Sequence, residues 1–314
     1  MYLVAGEALF DVFVDDESSD HAPMMDARAG GSPFNVAIGL ARLGVESGLL
    51  TGMSRDVLGE RLFRILESEG VSTRYLVRTG HRTTISLVGI DALGHPAYAF
   101  YGLGSADCSI GPDDLPEIGN EITGLHFGSY SLVVEPVANA FATFLDRHSD
   151  KFISLDPNVR VNVEPDLDIW RERIGAMIPK VDLLKVSAED LELIYPNRRH
   201  DTLAADWISR GVSLVVVTDG EADVRAWTSN GNMHSVTPNA TEVIDTVGAG
   251  DTFQAALLYK LHAANGVAPG RVLSGLTPDQ LEEALVFSAR AAQITCTRRG
   301  ADLPRIRDVS PSSL

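Results

Sequence analysis

Asp245-Thr246-Val247-Gly248-Ala249-Gly250-Asp251-Thr252-Phe253 runs directly into the apolar Ala255-Ala256-Leu257-Leu258. Three small residues stand where a helix begins, so backbone N–H groups leave the first turn unobstructed. The positive end of the helix adds to their pull on an anion, and phosphate suits such a site. Asp251 falls in the first helical turn, beside that anion site. A carboxylate there is placed to accept the proton of a hydroxyl attacking phosphorus, while the amides hold the charge of the group in transfer. Alone, the run also reads as a glycine-rich helix start whose acid complements the helix dipole. It is not a dinucleotide fingerprint, because G-x-G-x-x-G needs Gly or Ala where Phe253 stands. No G-x-x-x-x-G-K-[ST] occurs either, which disfavours a P-loop enzyme.

A second stretch, Gly30-Gly31-Ser32-Pro33-Phe34-Asn35-Val36-Ala37, continues through Leu40 and Leu43 to Gly44. Paired glycines let a backbone hinge or press against a ligand. Ser32 is placed as a helix N-cap, with Pro33 in the first turn and Gly44 just past the end. Asn35 then lies in the first turn, where its amide offers donors and an acceptor to a polyol. The competing reading is a tight turn with an asparagine at a helix start.

Outward from these two stretches, short apolar runs alternate with helical patterns. Tyr2 to Ala5, Leu49 to Thr51, Ile85 to Ile90, Leu125 to Phe127, Phe152 to Leu155, Asp182 to Val186 and Val212 to Thr218 read as buried strands. Helices are expected over Phe34 to Leu43, Leu58 to Glu69, Val137 to Arg147, Ile169 to Ile178, Ala188 to Ile194, Thr202 to Ser209, Ala249 to His262 and Pro278 to Thr295. This alternation predicts an α/β fold with a mainly parallel central sheet and helices on both faces. Leu9 to Val14 and Thr83 to Tyr101 break it, as extended segments without helices, with turns at Asp91 to Gly94 and His95-Pro96. They predict a small β appendage over the main sheet, built from segments near 9–30 and 83–102, or else an antiparallel edge hairpin. The Ser/Pro-rich end at Ser310 to Leu314 reads as frayed.

Lys and Arg number 26 against 43 Asp and Glu, a formal charge of -17. Such a field repels phosphate backbones, so a nucleic-acid binder with a general basic surface is excluded. With 45% apolar and 22% charged residues, the chain is an ordinary globular one. Cys108 and Cys296 are far apart and read as two free thiols of a reducing, cytoplasmic setting. Neither C-x-x-C nor H-E-x-x-H offers a metal site, and no apolar stretch is long enough to span a bilayer.

Together, the Gly30 to Gly44 element near one end and Asp245 to Asp251 near the other resemble the two signatures of the PfkB family of ribokinase-like carbohydrate kinases. Gly6-Glu7-Ala8-Leu9-Phe10-Asp11, Asp156-Pro157-Asn158-Val159-Arg160 and Lys185-Val186-Ser187-Ala188-Glu189-Asp190 look most like the fructokinase branch. The resemblance covers nearly the whole chain and implies one ribokinase-like domain over 1–314 whose β appendage is a lid. Its activity would be transfer of the γ-phosphoryl group of ATP to a sugar hydroxyl. Fructose is the first substrate implied, with 2-keto-3-deoxygluconate or another sugar or sugar acid second.

Residue by residue, the resemblance makes Asp251 the catalytic base and Gly248, Ala249 and Gly250 the anion hole. Asp11, Gly31, Asn35 and Arg160 would hold the sugar or the transferring phosphate, and Thr218 and Gly220 the nucleotide. The adenine pocket is expected from the helix around Ala289 to Gln293. Either Glu189 or Asp190 would order the waters of Mg2+ arriving with ATP, because Ser187-Ala188-Glu189-Asp190 stands where the family carries Asn-x-x-Glu. Asp245 and the Val247 carbonyl would hold a monovalent cation such as K+. Two further departures are Gly102, where relatives often carry Arg, and Ser54 in place of a Gly. A homodimer through the lid is implied by analogy. The rivals from other classes are a non-catalytic sugar- or nucleotide-binding regulator on the same fold and, less favoured, a dinucleotide oxidoreductase.

Overall fold

A parallel strand buried on both sides reads as a continuous apolar run, and its alternate residues must serve two different helical layers. The computed structural model describes residues 1–14, 19, 21–90, 96–220, 222–239, 242–265, 273 and 276–310. Its strands are β1 (Tyr2–Ala5), β2 (Leu9–Val14), β3 (Met25–Gly30), β4 (Ser47–Leu50), β5 (Gly52–Ser54), β6 (Val77–Thr79), β7 (Thr84–Ile90), β8 (Pro96–Tyr101), β9 (Gly124–Gly128), β10 (Phe152–Asp156), β11 (Leu183–Ser187), β12 (Leu214–Thr218), β13 (Val224–Thr228) and β14 (Met233–Val236). Its helices are α1 (Ser32–Arg42), α2 (Val57–Ser68), α3 (Val137–Arg147), α4 (Leu167–Met177), α5 (Ala188–Ile194), α6 (His200–Ser209), α7 (Ala249–Asn265), α8 (Pro278–Cys296) and α9 (Ile306–Val309).

The central sheet runs β14-β13-β12-β11-β10-β9-β1-β4. From β4 to β12 it is parallel, and β13 and β14 extend one edge antiparallel. Leu3, Ala5, Leu125, Phe127, Ile153 and Leu155 pack toward α3, α4, α5 and α6. Tyr2, Val4, Phe152, Leu183, Leu214 and Val216 pack toward α1, α2, α7 and α8. The mainly parallel sheet with helices on both faces is therefore as the alternation predicts.

β1 lies between β4 and β9, so the chain leaves β1 toward one neighbour and later builds the other side. Open α/β sheets bind ligands in the crevice at such a reversal, outside the carboxyl ends of the strands. The segments following β1, β10, β11 and β12 all open there.

A second sheet, β3-β2-β7-β8, uses the two segments that break the alternation. β2 pairs antiparallel with β3 and parallel with β7, and β7 pairs antiparallel with β8. The turn expected at Asp91 to Gly94, residues 15–18 and 20 of the first segment, and the tail beyond 310 lie outside the described residues. Four strands escape the sequence reading, and a fifth, β3, falls inside the predicted 9–30 segment without being singled out as a strand. Met25–Gly30 is largely exposed and carries no apolar alternation, Gly52–Ser54 and Val77–Thr79 are three residues each, and Val224–Thr228 and Met233–Val236 form the antiparallel edge. Cys108 is a buried free thiol, and among the described residues no helix is long and apolar enough to cross a membrane.

α1 and α7 cross at Gly39. A Cβ there would lie 2.7 Å from the Ala255 Cβ and 2.7 Å from Leu303 Cδ2. Overpacking a tight core costs about 1–3 kcal/mol, against up to about 1 kcal/mol of helix propensity gained by replacing Gly. Gly39→Ala is therefore expected to lower the urea midpoint of unfolding; an unchanged or raised midpoint would show that the two helices do not meet this closely.

Candidate active site

The helix start at Gly31 to Asn35 differs from the sequence reading by one residue, with a chemical consequence. Gly31 is the N-cap, at φ +107, and Ser32 is the first helical residue. A side chain at Gly31 would be strained at that φ and would meet the Glu7 carbonyl at 2.7 Å. Ser32 therefore does not spend its hydroxyl capping its own helix. Its backbone N–H donates to Glu7 Oε1 at 3.1 Å, and its Oγ donates to Asp251 Oδ1 at 2.6 Å. Asn35 Nδ2 donates to Asp251 Oδ2 at 2.8 Å. The two stretches that stood out in the sequence thus meet, though more than 200 residues apart in the chain, with both oxygens of Asp251 engaged from α1.

These residues line a cleft of about 1140 Å³ at the carboxyl ends of the strands. Asp11, Gly31, Asn35, Arg160, Thr218, Gly220, Glu189, Asp190, Val247, Gly248, Ala249, Gly250 and Asp251 all face it. Asp245 alone among the candidates stands behind the wall. Its Oδ1 accepts the Val247 N–H at 3.0 Å and its Oδ2 the Gly300 N–H at 2.7 Å, tying the loop before α7 to the segment after α8. At the other end of the cleft Ala289, Ala292 and Gln293 form wall, the helix from which the adenine pocket is expected.

The anion hole departs from expectation in one respect. The Ala249 N–H donates to the Thr246 carbonyl at 3.1 Å and is spent inside the turn. Thr252 N–H closes the first helical bond on the Gly248 carbonyl. An incoming phosphate would meet the amides around Gly250 and Asp251 at the positive end of α7.

Charge in the cleft is local. Arg160 is exposed, faces the cleft and pairs with no carboxylate among the described residues; its Nη1 donates to the Val159 carbonyl at 3.0 Å. The surface ion pair that is an arginine's usual fate is therefore absent there. Asp11 is raised above the usual carboxylate range by burial and, further, by the charge of Asp251. Between Glu189 and Asp190, the latter is half spoken for: its Oδ1 accepts the Val159 N–H at 3.0 Å, while its own amide donates to Ser187 Oγ, the N-cap of α5. Glu189 is exposed on the cleft wall.

The sequence reading missed Ser32, Glu7, Lys185 and Asp156. Lys185 and Asp156 form a buried ion pair at 2.8 Å, with Lys185 on the cleft wall. Burial pushes Asp156 up to about 6, partly offset by Lys185. A lysine inside the apolar run Leu183-Leu184-Lys185-Val186 was the available signal, since a buried charge needs a partner. Two non-glycine residues with left-handed φ, Ser129 (φ 62) and Asn158 (φ 42), flank the same crevice. Such strain concentrates at functional sites.

Residues 1–307 match the model of the pfkB family of carbohydrate kinases. The chain belongs to that family. This kinase is 37% identical over 278 residues to a fructokinase of Rhizobium leguminosarum bv. trifolii, covering 87% of this chain and 83% of that one. A fructokinase of Xylella fastidiosa solved with bound ATP superposes with a TM-score of 0.90 at 24% identity, over 98% of this chain and 96% of that chain. A double-mutant fructokinase of Vibrio cholerae O395, solved with fructose, ADP and potassium ion, gives 0.83 at 24% identity, over 98% and 96%.

Glu7 supplies a pH test of the site. It is buried, its Oε2 has no hydrogen-bond partner, and burial pushes it up to about 8. A carboxyl raised on folding contributes stability that is full below its unfolded value and is lost as pH rises through the folded one. Glu7→Gln keeps an acceptor for Ser32 but cannot ionise. Its Tm, relative to the unaltered protein, is therefore expected to climb between pH 5 and pH 8.5; a constant difference would mean that Glu7 is not held in a dry site.

Proposed function

We propose that this carbohydrate kinase is an ATP-dependent fructokinase, transferring the γ-phosphoryl group of ATP to a hydroxyl of fructose. The observation that carries the reading is Asp251. Its carboxylate sits between the polar wall around Asp11, Gly31 and Asn35, suited to sugar hydroxyls, and the amide end of α7, suited to a phosphoryl group. The fructokinase relatives support fructose as the sugar. A non-catalytic binder would have no use for a carboxylate held at that junction.

In this reading Asp251 accepts the proton of the attacking hydroxyl as its oxygen approaches the γ-phosphorus in line with the leaving ADP oxygen. The amides around Gly250 hold the equatorial oxygens and Arg160 adds a fixed positive charge, so the protein contributes positioning and electrostatics rather than covalent chemistry. Thr218, Gly220 and the Ala289 to Gln293 face of α8 hold the nucleotide. Among the described residues no group of three metal-ligating side chains exists. That fits Mg2+, which keeps its waters and is carried by phosphates and few carboxylates. Glu189 would orient its waters, with Asp190 held back by Val159, and the ion would supply neutralisation of phosphate charge. K+ would sit against the loop of Asp245 and the Val247 carbonyl, oxygen donors fit for a hard cation.

The sheet β3-β2-β7-β8 acts as the lid whose closure excludes water and limits idle ATP hydrolysis. Exposed Met25 and Tyr101 on its outer strands support a homodimer formed through it. Two cysteines far apart in the sequence accord with a cytoplasmic setting.

An ATP-consumption assay across ketoses, aldoses, sugar acids and nucleosides is expected to show the highest kcat/KM with fructose. A sugar acid ahead of fructose would reassign the substrate, and binding without turnover would remove the kinase. Asp251→Asn is expected to lower kcat by about 10³-fold while calorimetry still detects ATP binding; near-normal turnover would remove Asp251 as the base.

A further inference from the structure

We propose that Ser32 is a positioning residue for the Asp251 carboxylate, and that Glu7 holds Ser32 in the place from which it acts. The inference rests on the reading of Asp251 as the base. Ser32 is buried on the cleft wall, and its Oγ is 2.6 Å from Asp251 Oδ1. A serine at the N-cap would give its oxygen to an amide of its own helix. Here Gly31 occupies the cap, the Ser32 amide goes to Glu7 Oε1, and the hydroxyl is left to donate across to α7. Glu7 lies two residues past the end of β1, so the strand at the centre of the switch point fixes the start of α1.

The benefit to the base is geometric. Ser32 grips one oxygen of Asp251 and Asn35 the other, which fixes the plane of the carboxylate. Each oxygen keeps a second lone pair for the cleft, and hydrogen bonds to a charged acceptor are the strong ones. The grip is needed because the surroundings pull unequally. Asp11 and Asp156 lie close enough for the Asp251 charge to raise both. Lys185 Nζ stands 3.3 Å from where a Cβ on Gly250 would be, one residue from the base. With the Ser32 donor gone, the carboxylate is free to turn toward that ammonium and away from the sugar hydroxyl.

The test compares Ser32→Ala, Ser32→Thr and Asp251→Asn in the full chain by kcat and by KM for fructose and ATP. Ser32→Ala is expected to lower kcat about tenfold with both KM values within about twofold, because the loss falls on the transition state. Ser32→Thr, which restores a hydroxyl, should recover most of kcat. Unchanged kcat in Ser32→Ala, or a loss that Thr does not recover, overturns the proposal. If Asp251→Asn is inactive while Ser32→Ala is normal, the base stands and the positioning role falls. If Asp251→Asn is active, both fall.

Discussion

Two hydrogen bonds from the first turn of α1 to the Asp251 carboxylate join segments more than 200 residues apart, and the site exists only where they form. Their donors, Ser32 and Asn35, follow a glycine cap that no other residue would fit, and their acceptor opens α7. Everything that brings α1 against α7 serves this junction. Gly39 lets the helices approach, and the sheet face of Tyr2, Val4 and Phe152 supports them from below. The lid sheet grows out of the same region, since β3 ends at Gly30 and β2 begins two residues after Glu7.

A protein of charge -17 that takes a polyanion as substrate must confine its positive potential. It does so with few elements. The amino end of α7 contributes partial charges fixed in the backbone, and Arg160 faces the cleft with no salt-bridged carboxylate among the described residues, its charge acting on Glu7 and Asp11. Lys185, the other cation on that wall, is already matched by Asp156. Glu7, raised to about 8, is a neutral acid near pH 7 and adds little repulsion beside Asp251. On the proposed reading the negative surface and the anion site are separate features: the first repels extended polyanions, the second would receive one small one.

Much of the architecture was legible because burial on both sides of a parallel sheet leaves apolar runs such as Leu214 to Val217, and glycine, serine and proline mark the helix starts. β3, Met-Asp-Ala-Arg-Ala-Gly, left no such mark, because a strand exposed along most of its length needs no apolar alternation. At the site, backbone chemistry made Gly248 to Asp251 and Gly31 to Asn35 stand out. What could not be read was the pairing of distant side chains. Lys185 with Asp156 and Ser32 with Asp251 depend on how strands and helices superpose, and the shift of the α1 cap by one residue depends on the approach of Gly31 to Glu7. Whether Glu189 or Asp190 was free turned on a single amide, that of Val159.

On the proposed reading, sugar and nucleotide meet at Asp251. A crystal structure of the full chain with fructose and a non-hydrolysable ATP analogue tests it most directly. The expected result is one fructose hydroxyl within hydrogen-bond distance of the Asp251 carboxylate, with the terminal phosphate against the amides around Gly250 and in line with that hydroxyl. Fructose bound with no hydroxyl near Asp251, or a terminal phosphate seated away from the start of α7, would contradict it.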